Sequence, residues 1–211
     1  MPVIPPLPYT RFLEQADTCD VVIFSGRSDT SIAIETATGG AFSHTAMVVV
    51  APDGTKLLWQ AAGETIEVDP IKGAKHTGAQ LGPLDATMRD LIFGFRDAPV
   101  YRQLSWDRPA DLTDRLWKVL TSLDSRPFPD TWKLIEEYGA GAYLGLEETT
   151  GPMFCSELVA FTYQGVGLLD DPPPANAYSP TDFSSTSTSS LRVEPVVGEF
   201  AVDVAIADPP S

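Results

Sequence analysis

The sequence predicts an α+β fold, a small antiparallel β-sheet with helices beside it, and three observations predict it. Apolar, β-rich runs lie before residue 100, the clearest being "DVVIFSG" (20–26) and "SHTAMVVVAPDGTKLLWQAAG" (43–63). Runs with helical spacing follow at 110–123, 129–139 and 153–169. The chain has 211 residues, enough for one domain with a real core. Strand runs gathered ahead of helical runs make an α+β pattern.

Residues 1–17 read as a proline-rich N-terminal arm, and 18–211 as a single domain. "PPLP" within the arm can offer a polyproline helix to an aromatic groove, although a plain surface arm is the simpler reading. "DVVIFSG" is a buried strand ended by Gly26. "SDTSIAIETATGG" (28–40) is a short helix, with Ser28 as cap and two glycines as stop. Residues 43–63 form a hairpin that turns at Pro52-Asp53-Gly54.

"ETIEVDPI" (64–71) alternates as a third strand would, and 73–90 is a glycine-rich connection with one helical turn near its end. "LIFGFR" (91–96) reads as another strand. In 110–123, Leu112, Leu116, Val119, Leu120 and Leu123 share one helical face. Asp130 caps the next helix, and Pro152 suits the first turn of the third. A polar loop spans 170–190, and "LRVEPV" with "GEFAVDVAIAD" closes the sheet.

The net charge is −15 and the isoelectric point about 4.3. That field repels phosphate backbones and anionic lipid surfaces, so no nucleic-acid partner is expected. No apolar stretch approaches a membrane span, and "MPVIPPLPYTRFLEQ" lacks the layout of a signal peptide. The expectation is a cytoplasmic protein. The two cysteines form no CxxC, and the two histidines no HExxH, so neither a metal nor another cofactor is expected.

"GPMFCSELVAF" (151–161) raises the chemical question. Cys155 stands in the predicted first turn of a helix, where the positive end of the dipole favours a thiolate. A nucleophilic thiol also needs an imidazole. His44 opens a strand and His76 lies in a loop, and rigid scaffold favours His44. A base needs an orienting partner, and the hairpin brings Gln60 near His44. The set is Cys155 as nucleophile, His44 as general base and Gln60 to orient His44. The plain alternative is a packed, inert thiol and a satisfied core histidine.

"CDVVIFSG", "FSHTAMVV", "LLWQA", "FCSELVAFTYQGVGLL" and "AYSPTDF", in that order, resemble the circularly permuted NlpC-like papain-fold hydrolases, the YiiX/YebB-like group in particular. The resemblance spans roughly residues 18–183. It implies a permuted papain-like fold, with a small sheet or half-barrel packed against helices, and the same roles for Cys155, His44 and Gln60. It also implies a cysteine hydrolase of the amidase or peptidase kind. Such an enzyme acts on an amide, ester or thioester of a peptide-, lipid- or other acyl-containing substrate. Two departures stand out. Cys19-Asp20 replaces a common Gly-Asp, and Gln60 occupies a position that is often Glu.

Two further readings stay open: an acyltransferase like lecithin retinol acyltransferase, and a non-catalytic binding module of the same fold. Ser43, Trp59 and Tyr178 are candidates for a substrate groove, although Trp59 also reads as core. Cys19 reads as structural. Glu157 is expected to support the helix start, and His76 and Gln80 to form a surface loop or a lip over the cleft.

Overall fold

The computed structural model describes residues 5–203, except 65–66, 96–98, 125, 148–150 and 186–195. In chain order the elements are β1 (Pro6–Pro8), α1 (Tyr9–Gln15), β2 (Val21–Phe24), α2 (Asp29–Thr38), β3 (His44–Val50), β4 (Lys56–Ala62) and β5 (Gly78–Pro83). There follow α3 (Leu84–Phe95), β6 (Val100–Leu104), α4 (Leu112–Leu123), α5 (Thr131–Leu144), α6 (Cys155–Val166) and β7 (Val196–Asp203). Short 3₁₀ turns at Ala175–Ala177 and Pro180–Phe183 lie between α6 and β7. The fold is α+β, as expected.

One seven-stranded sheet runs in the order β1-β7-β6-β2-β3-β4-β5. Every pairing is antiparallel except β1 with β7. Strand alternation divides the core in two. Val21, Ile23, Met47, Val49 and Trp59 pack under α4 and α6, with Leu116, Leu120, Leu158 and Val159. Val22, Ala46, Val48 and Leu58 pack under α1 and α3, with Phe12, Leu84 and Met88. The helix starts follow cap chemistry. Ser28 accepts from the Ser31 N–H at 3.1 Å, and Asp130 from the Lys133 N–H at 2.9 Å.

The arm is not an appendage from Pro6 onward. Pro6–Pro8 pairs along β7 at a sheet edge, where proline's missing donor does no harm, and Tyr9 and Phe12 are buried. Residues 67–71 are not a strand. Asp69 folds them into a turn by accepting the Ile71 N–H, and also holds the Leu81 N–H, each at 2.7 Å. The third strand is instead β5, inside the glycine-rich stretch. Residues 91–95 belong to α3, because Leu84, Met88, Leu91 and Ile92 bury one helical face. The strand β6 gave no recognised signal. Of the two closing runs, 191–195 and 204–208 lie outside the described residues, and β7 takes the rest.

Candidate active site

Residues of β3 and β4 pair Met47 with Trp59 and Val48 with Leu58. In that register Gln60 stands diagonal to His44 on one face of the sheet, within reach of a long side chain. The His44 Nε2 and Gln60 Oε1 are 2.9 Å apart, and both residues are buried. An amide oxygen only accepts, so Nε2 carries the proton and Nδ1, the nitrogen nearer the main chain, is the basic one. Phe24 lies beside the imidazole, with ring centroids 5.8 Å apart. Burial pushes His44 down to about 4, against a smaller upward pull from Gln60.

Cys155 is the first residue of α6, after Phe154 as cap. The Phe154 N–H donates to Glu157 Oε2 at 3.2 Å, so Glu157 supports the helix start as expected. The thiol donates to the Ser43 carbonyl at 4.0 Å, and the Thr45 N–H is also directed at the sulfur. The sulfur thus lies against the main chain on both sides of His44. Burial raises the thiol to about 11, although the Thr45 and Ser156 N–H groups pull the other way. The helix start alone does not make a resting thiolate here. At neutral pH the pair is an uncharged thiol and an uncharged imidazole.

Residues Ile34, Leu134, Phe154, Cys155, Ser156 and Pro180 are among those lining a narrow cleft. It passes between α2, α5, the start of α6 and the Ser179–Pro180 turn. That turn is held in place. The Ser179 N–H and hydroxyl both donate to Asp182 at 2.7 Å, and the Phe42 N–H reaches Thr181 Oγ1 at 3.3 Å. A Cβ at Gly141 would come within 2.7 Å of the Asn176 and Ala177 backbone, so glycine lets α5 close up against the Ala175–Ala177 turn.

Of the groove residues, Ser43 touches Cys155 through its carbonyl. Trp59 is a correction: it is fully buried, and its indole N–H donates to Thr162 Oγ1 at 3.2 Å beneath α6. Tyr178 packs on Phe183 at 6.3 Å, and its neighbours Ser179 and Pro180 line the cleft in its place. Gln80 is no lip. It is buried in β5 opposite Gln60 and donates to the Glu64 carbonyl at 3.1 Å.

Cys19 is structural: it holds a backbone φ of 70°, a conformation that favours glycine, and is fully buried. This explains why a Gly-Asp pair suits the position. Asp20 accepts from Tyr101, the Leu104 N–H at 2.9 Å and Arg108 at 3.0 Å, a hub that the sequence marked only by its place before β2. The lining residues Ile34, Leu134 and Pro180 carried no signal in the sequence, because cleft walls come from distant segments.

One cluster has the composition of a cation site. His76 Nε2 is 3.1 Å from Asp69 Oδ2 and 3.9 Å from Asp124 Oδ1, and Lys72 Nζ is 3.3 Å from Asp124 Oδ2. Ligand atoms of Asp69, His76 and Asp124 lie within 4.8 Å of one another. A protonated His76 makes the same group an ion-pair cluster that ties the 69–77 turn to the end of α4.

No family model matches the chain, and no curated protein matches it. Among solved structures, the chain is similar to the crystal structure of the metalloprotein yiiX from Escherichia coli O157:H7, DUF1105. The two are 20% identical with a TM-score of 0.50, and the match covers 72% of this chain and 67% of that one. The likeness is one of fold. Among the described residues no helix is long and apolar enough to cross a membrane.

Proposed function

We propose that this protein is a thiol hydrolase of the permuted papain-like kind, with Cys155 as nucleophile, His44 as general base and Gln60 as the residue that orients His44. The observation that carries the reading is the buried bond between His44 Nε2 and Gln60 Oε1, beside the main chain that cradles the Cys155 sulfur. His44 Nδ1 takes the thiol proton as the sulfur attacks an amide, ester or thioester carbonyl. The Sγ–C bond forms, the leaving group departs with that proton, and water then releases the acyl group and returns a proton to the sulfur. The N–H groups at the start of α6 face the oxyanion. Because the pair is uncharged at rest, the thiol proton has to pass to His44 as the sulfur attacks.

The test is turnover of activated esters and thioesters by wild type, Cys155→Ala and His44→Ala. Turnover lost in both variants supports the reading, and turnover unchanged in Cys155→Ala ends it. A second reading, the non-catalytic binding module, draws on the buried thiol. It predicts no covalent acylation of Cys155 by any acyl donor.

A further inference from the structure

Cys155 is buried, and the cleft beside it has free space for about one water molecule. No substrate or reagent reaches the sulfur through that space, so a wall has to move. The cleft is walled by α2, α5 and the Ser179–Pro180 turn, and the last two are tied to distant parts of the chain. The Asn176 side-chain N–H groups donate to the Glu137 carbonyl on α5 at 2.9 Å and to the Leu146 carbonyl just beyond it at 3.0 Å. The turn is held by Asp182, by Thr181 against Phe42, and by Arg102, which donates to the Phe183 carbonyl.

The remaining wall, α2, is bonded to its own ends. The Ser25 hydroxyl donates to Glu35 at 3.1 Å, Ser28 caps Ser31, the Thr38 hydroxyl donates to the Ile34 carbonyl at 2.9 Å, and the Gly40 N–H donates to the Glu35 carbonyl at 3.1 Å. Among the described residues, every hydrogen bond of an α2 side chain stays within residues 25–40. Ile34 is the one buried apolar side chain of α2. It sits on Leu134 and Phe154, in a small cluster apart from the two main cores. Few buried apolar contacts and only local bonds mark an element that opens before the rest of the fold does.

We propose that α2 is a lid over Cys155. It swings on the segments before Ser28 and after Gly39, lifts Ile34 off Leu134 and Phe154, and opens the sulfur to acyl substrates and thiol reagents alike. The lid governs access and stands apart from the hydrolase reading, because it acts whatever chemistry follows.

The experiment is the rate of Cys155 alkylation by iodoacetamide at one pH, read by peptide mapping, with hydrogen exchange of α2 on the same proteins. Ser28 does not line the cleft, so Ser28→Ala acts only by uncapping α2. It is expected to raise the rate about three- to tenfold. Gly39→Ala loosens the other end, where a Cβ meets nothing within 4 Å but the φ of 66° is strained, and should give a rise of similar size. Ser28→Asp keeps a capping oxygen and the wild-type rate. Asp130→Ala removes the same kind of cap from α5 and leaves the rate unchanged.

A single opening event also requires Ser28→Ala to speed exchange across α2 and alkylation by the same factor. Wild-type alkylation in Ser28→Ala and Gly39→Ala, or an equal rise in Asp130→Ala, overturns the lid. If the rates follow the prediction while no acyl ester is turned over, the lid stands and the hydrolase reading falls. If turnover depends on Cys155 while the α2 variants alkylate like wild type, the lid alone falls.

Discussion

Cys19 and Cys155 are both free, both buried, and both have thiols pushed up by burial, to about 12 and about 11. Burial therefore does not tell a nucleophile from a packing residue. Their surroundings do. Cys19 lies two residues ahead of β2 at a positive φ, and its carbonyl accepts the Tyr163 hydroxyl. Cys155 opens a helix, lines a cleft, and lies against the main chain on both sides of His44. One thiol is walled in, while the other has backbone N–H groups aimed at it and space beside it. Access and aligned dipoles, rather than resting acidity, separate the two sites.

The sharpest way to break this contrast is to remove each thiol. Cys155→Ala is expected to bring turnover to background with little change in stability. Cys19→Ala should do the reverse, costing about 1–2 kcal/mol of stability as a small core truncation while turnover persists. Chemical denaturation and ester turnover on both variants decide it. Next in size, His44→Ala should lower kcat/KM by roughly 10²–10⁴-fold, the range of a general base. Equal activity in wild type and variant would remove His44 from the chemistry.

A pH profile sharpens the same point. Folded His44 titrates near 4, whereas an unfolded histidine titrates near 6.5. Between those values the unfolded chain binds a proton that the folded chain refuses, so this contribution to stability is lost as pH falls from about 6.5 to 4. Asp20 works the other way. Burial raises its carboxyl from 3.8 to about 6, so its contribution is present at low pH and lost as pH rises through about 6. The acid limb of turnover belongs to His44 and should have its midpoint near pH 4, not near 6.5. The smallest expected effect is Gln60→Glu. A carboxylate would stabilise the imidazolium, so the acid limb should move to higher pH, readable by the same profile.

The hairpin and the capped helices were legible because their chemistry is local. Pro52-Asp53-Gly54 sets the turn, strand alternation puts His44 and Gln60 on one face, and Ser28 and Asp130 cap their own helices. The segment from 64 to 104 was misread because its outcome is decided at a distance. Asp69 bends its own segment but is satisfied in part by Leu81, and "LIF" is helical only because Leu84 and Met88 complete its buried face. Likewise the trio of Cys155, His44 and Gln60 stood in quotable motifs, whereas the cleft walls on α2 and α5 did not. Cys155's resting state was also misjudged from sequence, because a helix start shows in the chain and the burial that outweighs it does not.

The most direct test of the central claim is intact-mass and peptide mapping after rapid mixing with an activated acyl ester, in wild type and in His44→Ala. The account predicts about one acyl group per wild-type chain, carried on Cys155, and little or none on the variant in the same time. Acylation at equal rates in both proteins, or on any residue other than Cys155, would contradict it.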